Sequence, residues 1–496
     1  MAISPRALML FVLFMSLLLV ALPSQALDEF ISRDGHRLME GEQEFRFAGI
    51  HAPELHRIED DARGTCVADP RGWGQYFRWP TADEQENWIK ALVKSGHRAM
   101  RVYVLSVATP ADVECGRETH ILAPLQAGDM PRLNEAAMVH YDRMIALADQ
   151  YGLRLILPFI DHWKWWGGRE QLAAFYGESA DDFYDTNSKT YAAYQAIIRQ
   201  VINRTNTLTN RRYKDEKAIM AWETGNELKD SGEAFVTQTA ALIKELDSNH
   251  LVIDGTYLKI NKFALDDPNV DIISNHFYTT NNNNNPEQIL ADLKSIAGKK
   301  VYLIGEFGLR DAAGLNDIMQ AAVHTEYQGA RAAGAFIWGF RGHRHNGGFY
   351  WHKEYTGHYS YHIPGFSEGA ANEELQVVNL VRKAQAQMIG LNAAPPLPAP
   401  EAPKLRAIAD PRVRIDFMGA PLGRTYRIER AINAAGPWRV IGDNISDGLQ
   451  EYRPYQQALF RDPDTLVPGQ MYYYRVIAIN ESGESAPSNM VQVVLP

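Results

Sequence analysis

The chain has 496 residues and a formal net charge of -10, and 10% of its residues are aromatic. The length exceeds one ordinary domain and suits a large barrel followed by a smaller module. The acidic balance excludes the basic footprint of a nucleic-acid binder, and the two cysteines, without a CxxC or Cys/His cluster, exclude a zinc site of that type.

Residues 1–26 read as a secretory signal. Arg6 supplies the positive start, Leu8 to Leu22 the apolar run, and Ser24-Gln25-Ala26 the small residues at a cleavage point. The run is short for a spanning helix. The expectation is a secreted protein, extracellular or periplasmic, with no membrane insertion after cleavage. Export places Cys66 and Cys115 in an oxidising compartment, where a single disulfide between them is expected and two free thiols are the alternative.

Phe45 to Ile50 reads as the first strand. Thr81 and Glu84 then form a capping box for a helix whose apolar face is Trp88, Ile89, Leu92 and Val93. Arg98 to Leu105 is the second strand. Asn134 is placed to cap the next helix, and Leu153 to Ile160 is the third strand. Ala218 to Gly225, Leu251 to Thr256, Asp271 to Tyr278, Val301 to Gly308 and Ala335 to Phe340 continue the alternation of apolar runs with helical patterns. Pro286 suits the first turn of a helix. The connection between the fifth and sixth strands is short for a full helix. A last helix runs from about Glu374 to Ile389. Eight buried strands alternating with helices predict an α/β fold, a (β/α)8 TIM barrel over residues 27–392. An open doubly wound sheet has the same periodicity.

Residues 393–403 form a Pro-rich linker, semi-extended and stiff. Beyond it, residues 404–496 switch to short strands such as Thr425 to Ile428 and Tyr472 to Ile479. Asn203, Asn444 and Asn480 begin glycosylation sequons.

Two strands end in a glutamate. The fourth runs into Glu223-Thr224-Gly225-Asn226-Glu227 and the seventh into Glu306-Phe307-Gly308. Paired carboxylates on barrel strand ends suit glycosidic-bond hydrolysis. Arg101 lies inside an otherwise apolar strand, where a cation is costly unless paired. His276 and Tyr278 alternate with Phe277 and so point to one side of the sixth strand. Trp163, Trp165 and Trp166 crowd one loop, which points to stacking on a sugar or to local packing. Arg341, His343 and His345, with Trp351 and His352 further on, follow the eighth strand and read as a polar wall of a cleft.

These features resemble the clan A glycoside hydrolases. Asp182-Phe183-Tyr184, Asn203 to Thr207, Tyr213-Lys214-Asp215, Ala221-Trp222-Glu223 and the Trp163 to Gly168 loop resemble the β-mannanase branch of family 5. The resemblance implies that Glu227 is the acid/base and Glu306 the nucleophile of a retaining mechanism. It implies that Asn226 bonds the sugar 2-hydroxyl, that Arg101 and Tyr278 hold Glu306 ionised, and that Trp338 forms an aromatic floor. His276 and Trp163 join the substrate-binding set. The last 95 or so residues resemble a fibronectin type III domain, with Tyr472 as its corner tyrosine. Such a module implies an independent unit whose removal leaves hydrolysis unchanged.

Three departures from the mannanase pattern stand out. Leu228-Lys229 follows Asn226-Glu227, His51 and Glu54 occupy the first-strand loop, and Asp161-His162 replaces an asparagine pair. They are expected to reshape the glycone side, giving cleavage unlike that of an ordinary endo-mannanase. The expected function is a secreted retaining β-glycanase, an endo-β-1,4-mannanase in the first place. The alternatives are a β-glucanase or exo-acting β-glycosidase, and a non-catalytic carbohydrate-binding protein. No metal or cofactor is expected, the partner is a β-linked polysaccharide or oligosaccharide, and the chain is expected to be a monomer.

Overall fold

The computed structural model describes residues 27–60, 64–69, 76–278, 285–367, 373–408, 413–448 and 458–494; residues 1–26, the expected signal, lie outside these. The strands β1 (Phe47–His51), β2 (Ala99–Arg101), β3 (Arg154–Pro158), β4 (Ile219–Glu223), β5 (Leu251–Asp254), β6 (Ile272–Phe277), β7 (Val301–Phe307) and β8 (Ala332–Trp338) form one sheet. Its order is β1-β8-β7-β6-β5-β4-β3-β2, and its paired strands run parallel. The ring closes where the Ala52 N–H donates to the Arg101 carbonyl at 3.3 Å and the Tyr103 N–H donates to the Pro53 carbonyl at 3.1 Å. Closure excludes the open sheet. Every residue of β1 to β7 is buried, which is why the strands read as continuous apolar runs rather than alternating ones.

Local signals behave unevenly. Thr81 and Glu84 close the capping box of the helix Ala82–Lys94, and Pro286 opens the helix Pro286–Ile296. Asn134 precedes its helix without capping it, because its amide donates to the Thr119 carbonyl at 3.0 Å. The β5–β6 connection holds only the short helix Lys262–Asp266. Strand β8 starts at Ala332, three residues before the expected run. Its Ala-Ala-Gly opening has little apolar bulk, but small size is the point there. A Cβ on Gly334 would fall 2.1 Å from the Phe47 ring, so glycine lets β8 lie against β1. Cys66 and Cys115 are bonded, with Cα atoms 5.8 Å apart, and tie the loop after β1 to the loop after β2. No helix among the described residues is long and apolar enough to cross a membrane.

Beyond the barrel lie two antiparallel sheets. One pairs Lys404–Ile408, Arg414–Met418 and Phe460–Arg461; the other pairs Arg439–Ile445, Thr425–Ala431, Met471–Asn480, Gly483–Glu484 and Val491–Val494. Ile415, Phe417, Tyr426, Ile428, Tyr474 and Val476 pack between them. The Tyr472 hydroxyl accepts the Val467 N–H at 3.0 Å, a corner geometry. Asn480 is buried, and its amide donates to the Pro398 carbonyl, so as folded it does not present an open sequon.

This region does not stand apart from the barrel. Lys90 and Lys94 hold Glu401 of the linker at 3.1 and 2.6 Å. Asn87 donates to the Gly419 carbonyl at 2.7 Å, and His343 Nε2 lies 3.1 Å from Asp447 Oδ2. Cβ atoms on Gly347 and Gly448 would fall 2.5 Å from Leu459 and 2.4 Å from Phe366. The independence read from the linker therefore gives way to a shared interface centred on the loop after β8. Proline sets the stiffness of a segment, not the distance between the parts it joins.

Candidate active site

Glu227 and Glu306 come from β4 and β7 by different local routes. Glu227 sits four residues past the end of β4 with φ at 53°, the left-handed region that side chains other than glycine rarely adopt. The chain before it is squeezed: a Cβ on Gly255 would fall 1.9 Å from the Gly225 carbonyl, so both glycines are required. Glu306 is the sixth residue of β7 and follows Gly305. A Cβ on Gly305 would fall 2.4 Å from Ser274 Oγ and 2.9 Å from His276 Nε2, so this glycine makes room for the histidine.

One oxygen of Glu227, one of Glu306 and a ring nitrogen of His276 lie within 4.8 Å of one another. Retaining glycosidases hold their carboxyls about 5–5.5 Å apart, and inverting ones about 6.5–9.5 Å. The spacing here is on the retaining side. The same three residues offer atoms at metal-ligand spacing, and each also serves the carboxyl pair.

Arg101 organises the floor of the site. It is fully buried, and its Nε and Nη2 donate to the two oxygens of Glu223 at 2.7 and 2.9 Å. Nη1 donates to Glu306 Oε2 at 3.1 Å, and Nη2 donates to Asn226 Oδ1 at 2.9 Å. The amide of Asn226 donates to Asp161 at 3.0 Å and to the Tyr103 hydroxyl at 3.1 Å, which fixes its orientation. Burial pushes the Asp161 carboxyl up to about 8, against the pull of Asn226, the Trp163 N–H and Tyr103.

The two catalytic candidates differ in their partners. Tyr278 donates to Glu306 Oε1, and Arg101 reaches Oε2. Glu227 instead accepts the Trp163 indole N–H at 2.5 Å and faces His276 Nδ1 at 2.9 Å. Burial pushes His276 down to about 4, so its ring is neutral near pH 7. Burial pushes both carboxyls up to about 7. For Glu306 the charge of Glu227 adds to that, while His276, Arg101 and Tyr278 oppose it; for Glu227 only the Trp163 indole and the more distant Arg101 do. A pair so close shares its titration. The proton belongs on Glu227, because Glu306 alone touches a guanidinium.

The glutamates open into a cleft of about 780 Å³ whose lining includes Tyr103, Trp163, Trp165, Tyr257, Tyr278 and Trp338. Trp163 and Trp338, expected in the substrate-binding set, thus line the cleft. Trp166 does not reach the cleft; it is buried beneath, with its indole donating to the Val104 carbonyl at 3.0 Å. Of the expected wall, Arg341 and His343 are likewise buried and do not line the cleft, whereas His352 does, beside Lys353, Glu354 and Tyr355. Of the departures from the mannanase pattern, His51 packs 4.9 Å from the Trp338 ring and Asp161 holds Asn226, so both lie directly beneath the cleft. His51, Glu54 and Asp161 are buried below the surface, and Lys229 is exposed outside the cleft lining.

Glu223, Tyr103, Tyr257 and Glu354 are site residues that the sequence reading did not single out. Glu223 had a signal. It ends an apolar run, as Arg101 sits in another, and two opposite charges in buried strands must pair. Glu223→Gln is expected to cost about 3–5 kcal/mol of stability, because it breaks a buried pair. With that anion gone Glu306 is the one carboxylate that Arg101 still touches, so the acidic limb of kcat/KM is expected to move to lower pH. Urea unfolding and a pH–rate profile check both.

A closed parallel barrel with two carboxylates facing each other across its C-terminal mouth has the layout that glycosidic-bond hydrolysis needs. Residues 82–303 match the family described as GH family 5 beta-mannosidase-like. Mannan endo-1,4-beta-mannosidase F of Aspergillus clavatus is 38% identical over 120 residues, 23% of this chain and 26% of that protein. A probable mannan endo-1,4-beta-mannosidase A of Aspergillus flavus is 32% identical over 179 residues, 35% of this chain and 44% of that one. The chain thus spans less than half the length of these curated relatives. Among solved structures, the family 5 mannosidase of Rhizomucor miehei superposes with a TM-score of 0.55 at 18% identity, covering 73% of this chain and 98% of that one. The endo-beta-1,4-mannanase of Thermotoga petrophila gives 0.53 at 16% identity, covering 92% and 99%. At these identities the likeness is one of fold.

Proposed function

We propose that this protein is a secreted endo-β-1,4-mannanase that hydrolyses its substrate with retention of anomeric configuration. The observation that carries the reaction type is the spacing of Glu227 and Glu306, with Arg101 and Tyr278 on one carboxyl only. The mannan substrate is supported by the names of the relatives, including a mutant of the Rhizomucor miehei mannosidase in complex with mannosyl-fructose. Secretion is supported by the signal pattern of residues 1–26. A cleft of about 780 Å³ has room for more than one sugar ring, as cutting within a chain needs.

In this reading Glu306 attacks the anomeric carbon while Glu227 gives its proton to the leaving oxygen. The bond to the leaving sugar breaks as the bond to Glu306 forms. Glu227, now ionised, takes a proton from water, and that water displaces Glu306 from the same face the leaving group left. Asn226 offers a hydrogen bond to the 2-hydroxyl, a contact that strengthens in the transition state. Trp163 keeps Glu227 aimed. The experiment is hydrolysis of a polysaccharide panel with products sized by chromatography and the first-formed anomer read by proton NMR. Internal cleavage of mannan with retention is expected; an inverted first product contradicts Glu306 as nucleophile.

The reactive form carries one proton on the pair. A kcat/KM profile should therefore be bell-shaped about neutrality, with one apparent pKa on each side of about 7. The acidic limb is protonation of Glu306, and the alkaline limb is loss of the Glu227 proton. The same shifts bear on stability. Both folded values lie above the ordinary carboxyl value, so the native state holds more protons than the unfolded chain. The contribution to stability is complete below about 4.5 and is lost as pH rises through about 7. A flat profile between pH 5 and 9 contradicts the assignment.

A further inference from the structure

Strands β4 and β8 stand opposite each other in the ring, with three strands between them in either direction. If Glu227 protonates the leaving oxygen, the leaving sugar lies toward β4 and the retained sugar toward β8. The loop after β8 brings a third carboxylate to that end. The Glu354 side chain is 18% exposed, and it lines the cleft. Its Oε1 accepts the Trp338 indole N–H at 2.6 Å and lies 3.3 Å from His352 Nε2. The other ring nitrogen of His352 lies 3.1 Å from Glu59 Oε2, so the histidine bridges two carboxylates and cannot swing away freely. Burial raises the Glu354 carboxyl, but His352, Trp338 and Arg341 together bring it down to about 2. An ionised carboxylate in a half-closed cleft is costly unless it has partners. Trp338 and His352 both approach one of its oxygens.

We propose that Glu354 is a specificity-determining residue whose ionised carboxylate accepts hydroxyls of the neutral sugar resting on Trp338. The geometry permits it: the carboxylate is locked to the edge of the indole on whose face the ring would lie. A carboxylate in that position also repels sugars that carry a carboxylate there, so uronic acid units are excluded. The proposal rests on the roles given to Glu227 and Glu306 under the proposed function, but it concerns binding and does not require turnover.

The test uses the full chain with Glu354→Gln and Glu354→Ala. Affinity for a non-hydrolysable thio-linked mannobiose is measured by calorimetry, and kcat/KM is measured on aryl β-mannosides lacking the 3-, 4- or 6-hydroxyl in turn. Glu354→Gln keeps an acceptor for the Trp338 indole, so its melting temperature should match the wild type. Binding should weaken at least tenfold, since a hydrogen bond to a charged group is lost. In the wild type, removing the contacted hydroxyl should cost at least tenfold; in Glu354→Ala the same removal should cost less than threefold. If all three deoxy sugars lose the same factor in wild type and variant, Glu354 only orients Trp338 and the proposal fails. It also fails if the variants bind the thio-sugar as the wild type does, or if the wild type does not bind it. A wild type that binds it in a Glu354-dependent way yet hydrolyses nothing removes the hydrolase reading and leaves this one standing.

Discussion

Glu306→Ala is expected to abolish turnover, by a factor on the order of 10⁴ or more, while leaving the protein folded. The fold should survive because Arg101 keeps its two bonds to Glu223 when Glu306 is gone. Removing Glu306 also relieves its repulsion with Glu227, which contributes to the raised value of Glu306. Its melting temperature should therefore be unchanged or higher, the usual sign of a site held together for function. Glu227→Ala should behave differently. Substrates with good leaving groups need little protonation, so their first step should proceed and the glycosyl-enzyme should accumulate. Added azide then attacks from the face Glu227 vacated and gives a β-glycosyl azide. With Glu306→Ala, azide can enter only from the nucleophile's face, so any product is the α anomer. Proton NMR of the azide products decides the assignment. Interchanged results would reverse the roles of the two glutamates, despite the contact of Arg101 with Glu306.

Truncation after Pro400 is expected to cost both stability and activity. The region removed covers Asn87, His343 and Phe366. His343 is nearly inaccessible: it stacks on Phe349 at 3.9 Å, bonds Asn87 through Nδ1 at 3.0 Å and faces Asp447 through Nε2. Without the C-terminal sheets that ring meets water on one side. The loop it anchors leads directly to His352 and Glu354 of the cleft wall. Loss of at least tenfold in kcat/KM and a clear drop in melting temperature are expected. A milder probe is Gly419→Ala, whose Cβ would fall 2.2 Å from His343 Nε2 and 2.3 Å from Asp447 Oδ2. Overpacking of this kind costs about 1–3 kcal/mol. A truncated chain with wild-type melting and wild-type kcat/KM would show that the sheets dock on the barrel without supporting it.

Much of the architecture was open to reading along the chain. The eight strands, the capping box at Thr81 and the first-turn proline at Pro286 are local matters, set by periods of a few residues and by single backbone preferences. Glu227 and Glu306 could be picked out because each ends a buried run, where a carboxylate has few structural uses. Even His276 and Tyr278 followed from alternation along one strand, since a period of two puts both on the same face.

Other features depend on parts of the chain far apart in sequence. Arg101 and Glu223 are separated by 122 positions and meet only because β2 and β4 flank β3 in a closed ring. In the Trp163 to Trp166 loop, the first tryptophan reaches Glu227 and the last is buried. That division is made by Gly167 and Gly168, which let the loop press against the Val107 and Asp161 backbone. Of the loop expected to wall the cleft, His343 is buried against Asp447 of the C-terminal sheets, while His352, with Glu354 beside it, lines the cleft. The sequence by itself determined the barrel and the two carboxylates on its rim, because strand period and strand-end placement are written locally. The tertiary structure alone decided which charges pair beneath them and which residues line the cleft, because those depend on close packing between segments that no local pattern relates.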